Sequence, residues 1–140
     1  MKHLLIFSAL LGFTLWSCDH LTRAPKFISS IGSFELFSKQ ITVNVFETQD
    51  NRINYTVRRR ETNGVETVGP QAQPIAKDRP WFIYPASASE IWIYDGDKDV
   101  LLMEFSDKHT AVSDIASVPD LLQRAPPQFS NRLPADLKPK

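Results

Sequence analysis

The stretch from Trp81 to Phe105, WFIYPASASEIWIYDGDKDVLLMEF, constrains this chain most. Three short apolar runs lie there almost back to back: Trp81-Phe82-Ile83-Tyr84, Ile91-Trp92-Ile93-Tyr94 and Val100-Leu101-Leu102-Met103. Aromatic and branched residues dominate each run, so each reads as a strand. Pro80 and Pro85, together with that density of β-branched and aromatic side chains, exclude a helix over the first two runs. Successive side chains of a strand face opposite ways. Trp81 and Ile83 therefore share one face and Phe82 and Tyr84 the other, while Ile91 and Ile93 oppose Trp92 and Tyr94. Both faces are apolar, so these strands need cover on both sides or sit against a partner. Asp95-Gly96-Asp97-Lys98-Asp99 joins the second run to the third as a hairpin loop, since Gly accepts positive φ and Asp can bond the turn backbone.

The preceding region reads as a wetter sheet. Ile41, Val43 and Val45 alternate with Thr42 and Asn44, and Ile53, Tyr55 and Val57 alternate with Asn54, Thr56 and Arg58. Each is a half-buried strand. Gln49 to Arg52 supplies turn chemistry between them. Asn63-Gly64 is a strong hairpin signal that leads into a shorter strand over Val65 to Val68. Gly69 to Pro80, with three prolines and no apolar pattern, is expected to be a crossing loop. Residues 27–37 are compatible with helix or strand: Phe27, Ile28, Ile31 and Phe34 have helical spacing, but Gly32 and nearby serines weaken a helix. After Phe105, Ser106 to His109 is a polar turn, and Thr110 to Ile115 a weak last strand. Pro119 and Asp120 suit the first turn of a short helix, which Pro126-Pro127 must stop.

The expected fold is mainly β: a small antiparallel sheet, sandwich or barrel-like meander with a short C-terminal helix. The expected division is residues 1–17 as a signal peptide and 18–33 as a tether and lead-in. Residues 34–125 then form the β domain, and 126–140 a loosely held proline-rich tail.

The N-terminus carries a targeting pattern. Lys2 gives a positive start, and Leu4 to Leu15 is an uncharged apolar run of twelve residues. That length suits a secretory signal of about 7–15 apolar residues and falls short of the roughly 20 that span a bilayer. The run ends in Leu15-Trp16-Ser17-Cys18, and Cys18 is the only cysteine of the chain. This resembles the lipobox of bacterial lipoproteins: Leu15, Ser17 and Cys18 match, while Trp16 stands where a small residue is usual. An ordinary cleaved signal would need small residues where Leu15 and Trp16 stand. The resemblance implies cleavage before Cys18, a diacylglyceryl thioether on its sulfur and acylation of the new amine. It places the domain on the periplasmic side of the inner or outer membrane, held there through its lipid. Asp19 resembles the residue that keeps such proteins at the inner membrane in enteric bacteria.

Few residues suggest chemistry. Lys and Arg number 16, as do Asp and Glu, so nothing in the charge favours nucleic acid. Arg52, Arg58, Arg59 and Arg60 crowd one hairpin, and acids predominate from Glu90 to Asp120; both read as solvated strand edges and turns. Asp95, Asp97 and Asp99 have the spacing that opens a calcium loop, but Val100 stands where that loop needs Gly and Ser106 where it needs Glu. The segment is therefore expected to be a turn without metal. His109 is the single histidine in the body of the domain, His20 lying in the tether. No nucleophile motif accompanies it, and a single domain histidine with no free cysteine does not make a zinc site. Glu90 and Glu104 lie near the core strands, with nothing in the sequence to set them across a cleft. No catalytic residue, metal ligand or cofactor is assigned, and an enzyme is not expected.

The expectation is a non-catalytic envelope lipoprotein that binds an envelope protein or plays a structural part. A periplasmic inhibitor or immunity protein is a variant of that reading. A carrier of a small apolar ligand is the alternative, with a pocket lined by aromatics. Trp81, Tyr84, Trp92 and Tyr94 are the candidate binding surface in either case, against the plainer reading that they fill the core.

Overall fold

The computed structural model describes residues 27–61, 64–68, 74–107 and 109–139. Cys18, the signal segment and the tether before Phe27 lie outside the described residues, as does Asn63 of the hairpin signal.

Two antiparallel sheets make up the fold, neither closed into a barrel. The first contains β1 (Gly32–Leu36), β2 (Ile41–Glu47), β3 (Arg52–Glu61) and β4 (Gly64–Val68) in that order, with the short β5 (Ile75–Ala76) also pairing with β3. The second contains β6 (Phe82–Ser87), β7 (Glu90–Tyr94), β8 (Val100–Phe105) and β9 (Thr110–Asp114), again in sequence order. A 3-10 turn over Pro119–Arg124, the helix α1 (Pro127–Arg132) and a final 3-10 turn over Ala135–Leu137 close the chain.

The alternating strands do what their pattern demands. Ile41, Val43 and Val45 of β2 and Ile53, Tyr55 and Val57 of β3 are buried. They pack against Ile83, Ile91, Ile93, Leu101 and Met103 of the second sheet. This is a sandwich core, built from the inner faces of two sheets. The opposite face of the second sheet is equally apolar: Phe82, Tyr84, Trp92, Tyr94, Val100 and Leu102 are all buried. What covers it is the C-terminal segment, through Leu121, Phe129 and Leu133. The double-sided apolar character of the strands thus has its cover on both sides. Its cost in ordered backbone is offset by removing two layers of apolar surface from water.

Three expectations need correction. Residues 126–140 are not a loose tail: Phe129 and Leu133 are core residues, and Leu137 packs beside them. Pro126 and Pro127 do not only stop a helix. Proline lacks only a donor that the first helical turn leaves unbonded anyway, so Pro127 opens α1, and Phe129 and Leu133 then fall on one side of the segment. The crossing loop contains β5, because Ile75 finds a buried place opposite Ile53. The ambiguous lead-in is extended rather than helical. Ile28 exchanges both backbone hydrogen bonds with Ile83, at 2.9 and 2.8 Å. Phe27 lies against Tyr84 with ring centroids 4.8 Å apart, and the Arg132 guanidinium sits 4.4 Å from the Phe27 ring centre. The chain is thereby fixed from its first described residues, on the edge of β6.

Candidate binding groove

The aromatic candidates are placed first by burial. Trp92 is completely buried, and Tyr84 and Tyr94 nearly so. Only Trp81 keeps partial exposure, packed at the rim of the inter-sheet core. Phe129 fills the space between them, with ring centroids 5.4 Å from Trp92, 5.3 Å from Phe82 and 6.3 Å from Tyr84. Tyr84, Trp92 and Tyr94 are therefore core and not a surface for a partner. The physical reason is the C-terminal segment, whose own apolar residues need that face.

The acidic loop is a turn held by its own side chain. Asp95 Oδ1 accepts the backbone N–H groups of Asp97 at 2.7 Å and Asp99 at 3.1 Å. Arg79 pairs with Asp97, and Lys98 reaches Asp136 at 3.5 Å. Gly96 is required here: its φ is 84°, and a Cβ would lie 2.7 Å from the Pro80 carbonyl oxygen. Desolvation, then the neighbouring Asp95 and Asp114 carboxylates, hold the Asp99 carboxyl above its ordinary range.

His109 is spent on its own turn, with Nδ1 3.2 Å from Ser106 Oγ and its carbonyl accepting the Ser106 N–H at 3.0 Å. Glu90 and Glu104 do meet, directly opposite each other in the β7–β8 ladder. Like charges so placed repel. Each has its own partner: the Trp92 indole N–H donates to Glu90, and Arg124 donates to Glu104 at 2.6 Å.

A different place offers an open, polar concavity. At one end of the sandwich a groove of about 600 Å³ lies between the sheets. The first sheet lines it with Gln40, Arg59, Arg60 and Glu61; the second contributes the turn Ser87-Ala88-Ser89, with Phe105 and Asp107. Inner and outer sides alternate along β3, so consecutive arginines have different fates. Arg59 is drawn inward, where its Nη1 donates to the Ser106 carbonyl at 2.6 Å and its guanidinium lies 5.8 Å from the Phe105 ring centre. Glu61 stands 3.8 Å from it. Arg60 is exposed and makes no ion pair among the described residues. Across the groove, the Ser87 and Ser89 hydroxyls bond each other at 3.0 Å.

The turn that leads into Gln40 has left-handed backbone at three successive residues. Phe37, Ser38 and Lys39 have φ of 49°, 54° and 68°, three successive non-glycine residues in the left-handed region. Such a conformation costs about 1–2 kcal/mol per residue. Backbone bonds hold it in place: Gln40 donates to the Phe37 carbonyl at 3.1 Å, and Arg60 donates to the Gln40 carbonyl at 2.8 Å.

Sequence reasoning passed over this groove because its residues are far apart in the chain. The run Arg58-Arg59-Arg60 inside a strand was the available signal, since alternation forces one arginine toward the interior. With the geometry in place, comparison of the chain with known protein families, curated proteins and solved structures gives no match.

Proposed function

We propose that the protein is a lipid-anchored lipoprotein of the bacterial cell envelope, in which Cys18 carries the lipid and the β-sandwich serves as a non-catalytic binding module. The observation that carries this reading is the sole cysteine placed where the apolar run ends, in Leu15-Trp16-Ser17-Cys18 behind Lys2. Two or three acyl chains at one residue give lasting attachment, whereas one chain binds only marginally. Residues 19–26 lead from the lipid to Phe27, a reach of at most about 30 Å. The domain is thus confined to the layer next to the membrane, and its partner is an envelope component within that layer.

The test is metabolic labelling with radioactive palmitate in a bacterial host. The natural chain should label and move to the membrane fraction, and Cys18→Ser should do neither. Equal labelling of the two chains would end the reading.

A further inference from the structure

We propose that two copies of this chain pair through the outer edge of β9, joining their four-stranded sheets edge to edge. The phase of the β8–β9 ladder decides which backbone groups are available. Ile115 donates to the Val100 carbonyl at 3.2 Å, and Ser106 to the His109 carbonyl at 3.0 Å. Both pairs continue the register that sets Val112 opposite Met103. Successive residues of a strand turn their backbone groups to alternate sides. His109, Ala111, Ser113 and Ile115 therefore bond toward β8, while Thr110, Val112 and Asp114 turn theirs away from it. Val112 is the middle of that outward set, and its N–H and carbonyl have no partner among the described residues. The Asp114 carbonyl accepts the Val118 N–H at 2.9 Å, which ends the edge there.

That pattern fits a second copy. A two-fold axis at Val112 pairs the edge with itself. Val112 exchanges two bonds with the other copy's Val112, and the Asp114 N–H donates to the other copy's Thr110 carbonyl. In this register Thr110 stands opposite Asp114, and Ala111 opposite Ser113, so no like charges face each other. Val112 is half-buried against the inter-sheet core, and self-pairing covers its remaining apolar surface. Thr110–Asp114 contains none of the devices that protect an edge: no proline, no lysine and no bulge. The opposite edge of the sheet is taken by Ile28, which bonds Ile83 of β6. The chain before Phe27 thus enters three strand spacings from β9, about 14 Å, and in the pair both entry points lie at the outer edges of the joined sheet.

The inference goes beyond the anchored binding module and needs no lipid at Cys18. Analytical ultracentrifugation of the full chain in detergent tests it. The natural chain should pass from the mass of one chain to that of two as its concentration rises. Val112→Pro removes the N–H that faces the axis and none that faces β8, so it should stay single. Thr110→Asp sets two carboxylates opposite each other at each end of the pair and should raise the dissociation constant about tenfold. Thr110→Lys loses the same threonine and should leave the constant equal or lower. Val112→Cys keeps the N–H and should cross-link to itself under mild oxidation, since paired Cα atoms there lie about 5.5 Å apart. Asp107→Cys, exposed but far from the axis, should not exceed the background of the natural chain. A chain that stays single up to about 1 mM would overturn the proposal. So would a pair that Val112→Pro leaves intact, or equal pairing of Thr110→Asp and Thr110→Lys. A Cys18→Ser chain that loses palmitate but still pairs would sustain the pairing and remove the anchor alone.

Discussion

Trp92 and Phe129 lie with ring centroids 5.4 Å apart, and both are completely buried. One belongs to the middle of the second sheet, the other to the helix that Pro127 opens near the C-terminus. Their contact makes the last part of the chain a layer of the fold. Phe129→Ala should therefore cost about 3–5 kcal/mol, the usual loss for truncating a buried aromatic. A urea melt of the purified variant measures it; a midpoint within error of the natural chain would mean that the C-terminal layer is dispensable.

Tyr55 supplies a test of burial without a partner. Its ring is buried between the sheets, and its hydroxyl meets no hydrogen-bond partner. Burial, then the charges of Asp95 and Asp99, push its ionisation far above the ordinary tyrosine range. An unpaired buried hydroxyl costs about 1–3 kcal/mol. Tyr55→Phe should thus be neutral or stabilising, up to about 1 kcal/mol in a denaturant melt. A clear loss of stability would reveal a bond to this hydroxyl.

The pH dependence of Asp99 has a definite sign. The folded state holds its carboxyl proton more tightly than the unfolded chain, because desolvation and then Asp95 and Asp114 disfavour the anion. The stability slope follows the difference in protons bound by the unfolded and native states, so this group's cost appears as pH rises above its ordinary value of 3.8. Asp99→Asn, whose amide oxygen can still accept the Val100 N–H, should melt higher than the natural chain at neutral pH. The gap should close as the pH is lowered below that value. A gap that widens on acidification would contradict the assignment.

Local chemistry made much of this fold legible. The β7–β8 hairpin follows from Asp95-Gly96, and the position of Gly96 against the Pro80 carbonyl shows why that residue is glycine. The alternation of Ile41, Val43 and Val45 gave the inner face of the first sheet, and the double-sided strands announced two covering layers. The identity of the second cover was not legible. Phe129 and Leu133 are only two apolar residues among prolines, and a proline that opens a helix looks in sequence like one that ends it. The groove was hidden for a similar reason: Gln40, Arg60, Ser87 and Asp107 are neighbours only after both sheets have formed. The left-handed turn at Phe37-Ser38-Lys39 contains no glycine or asparagine to mark it.

The central claim is that the aromatic strands are the interior of the protein, so that recognition has to take place elsewhere. A denaturant melt of the full-length Trp92→Ala chain tests it most directly. The side chain is fully enclosed by the second sheet and Phe129, and its indole N–H donates to Glu90. Its loss should cost about 3–5 kcal/mol, a large share of the roughly 5–15 kcal/mol that holds a typical domain together. The account predicts a midpoint shifted far toward low denaturant, or a chain that does not fold. An unshifted midpoint would contradict it, and would return Trp92 to the surface as a contact residue.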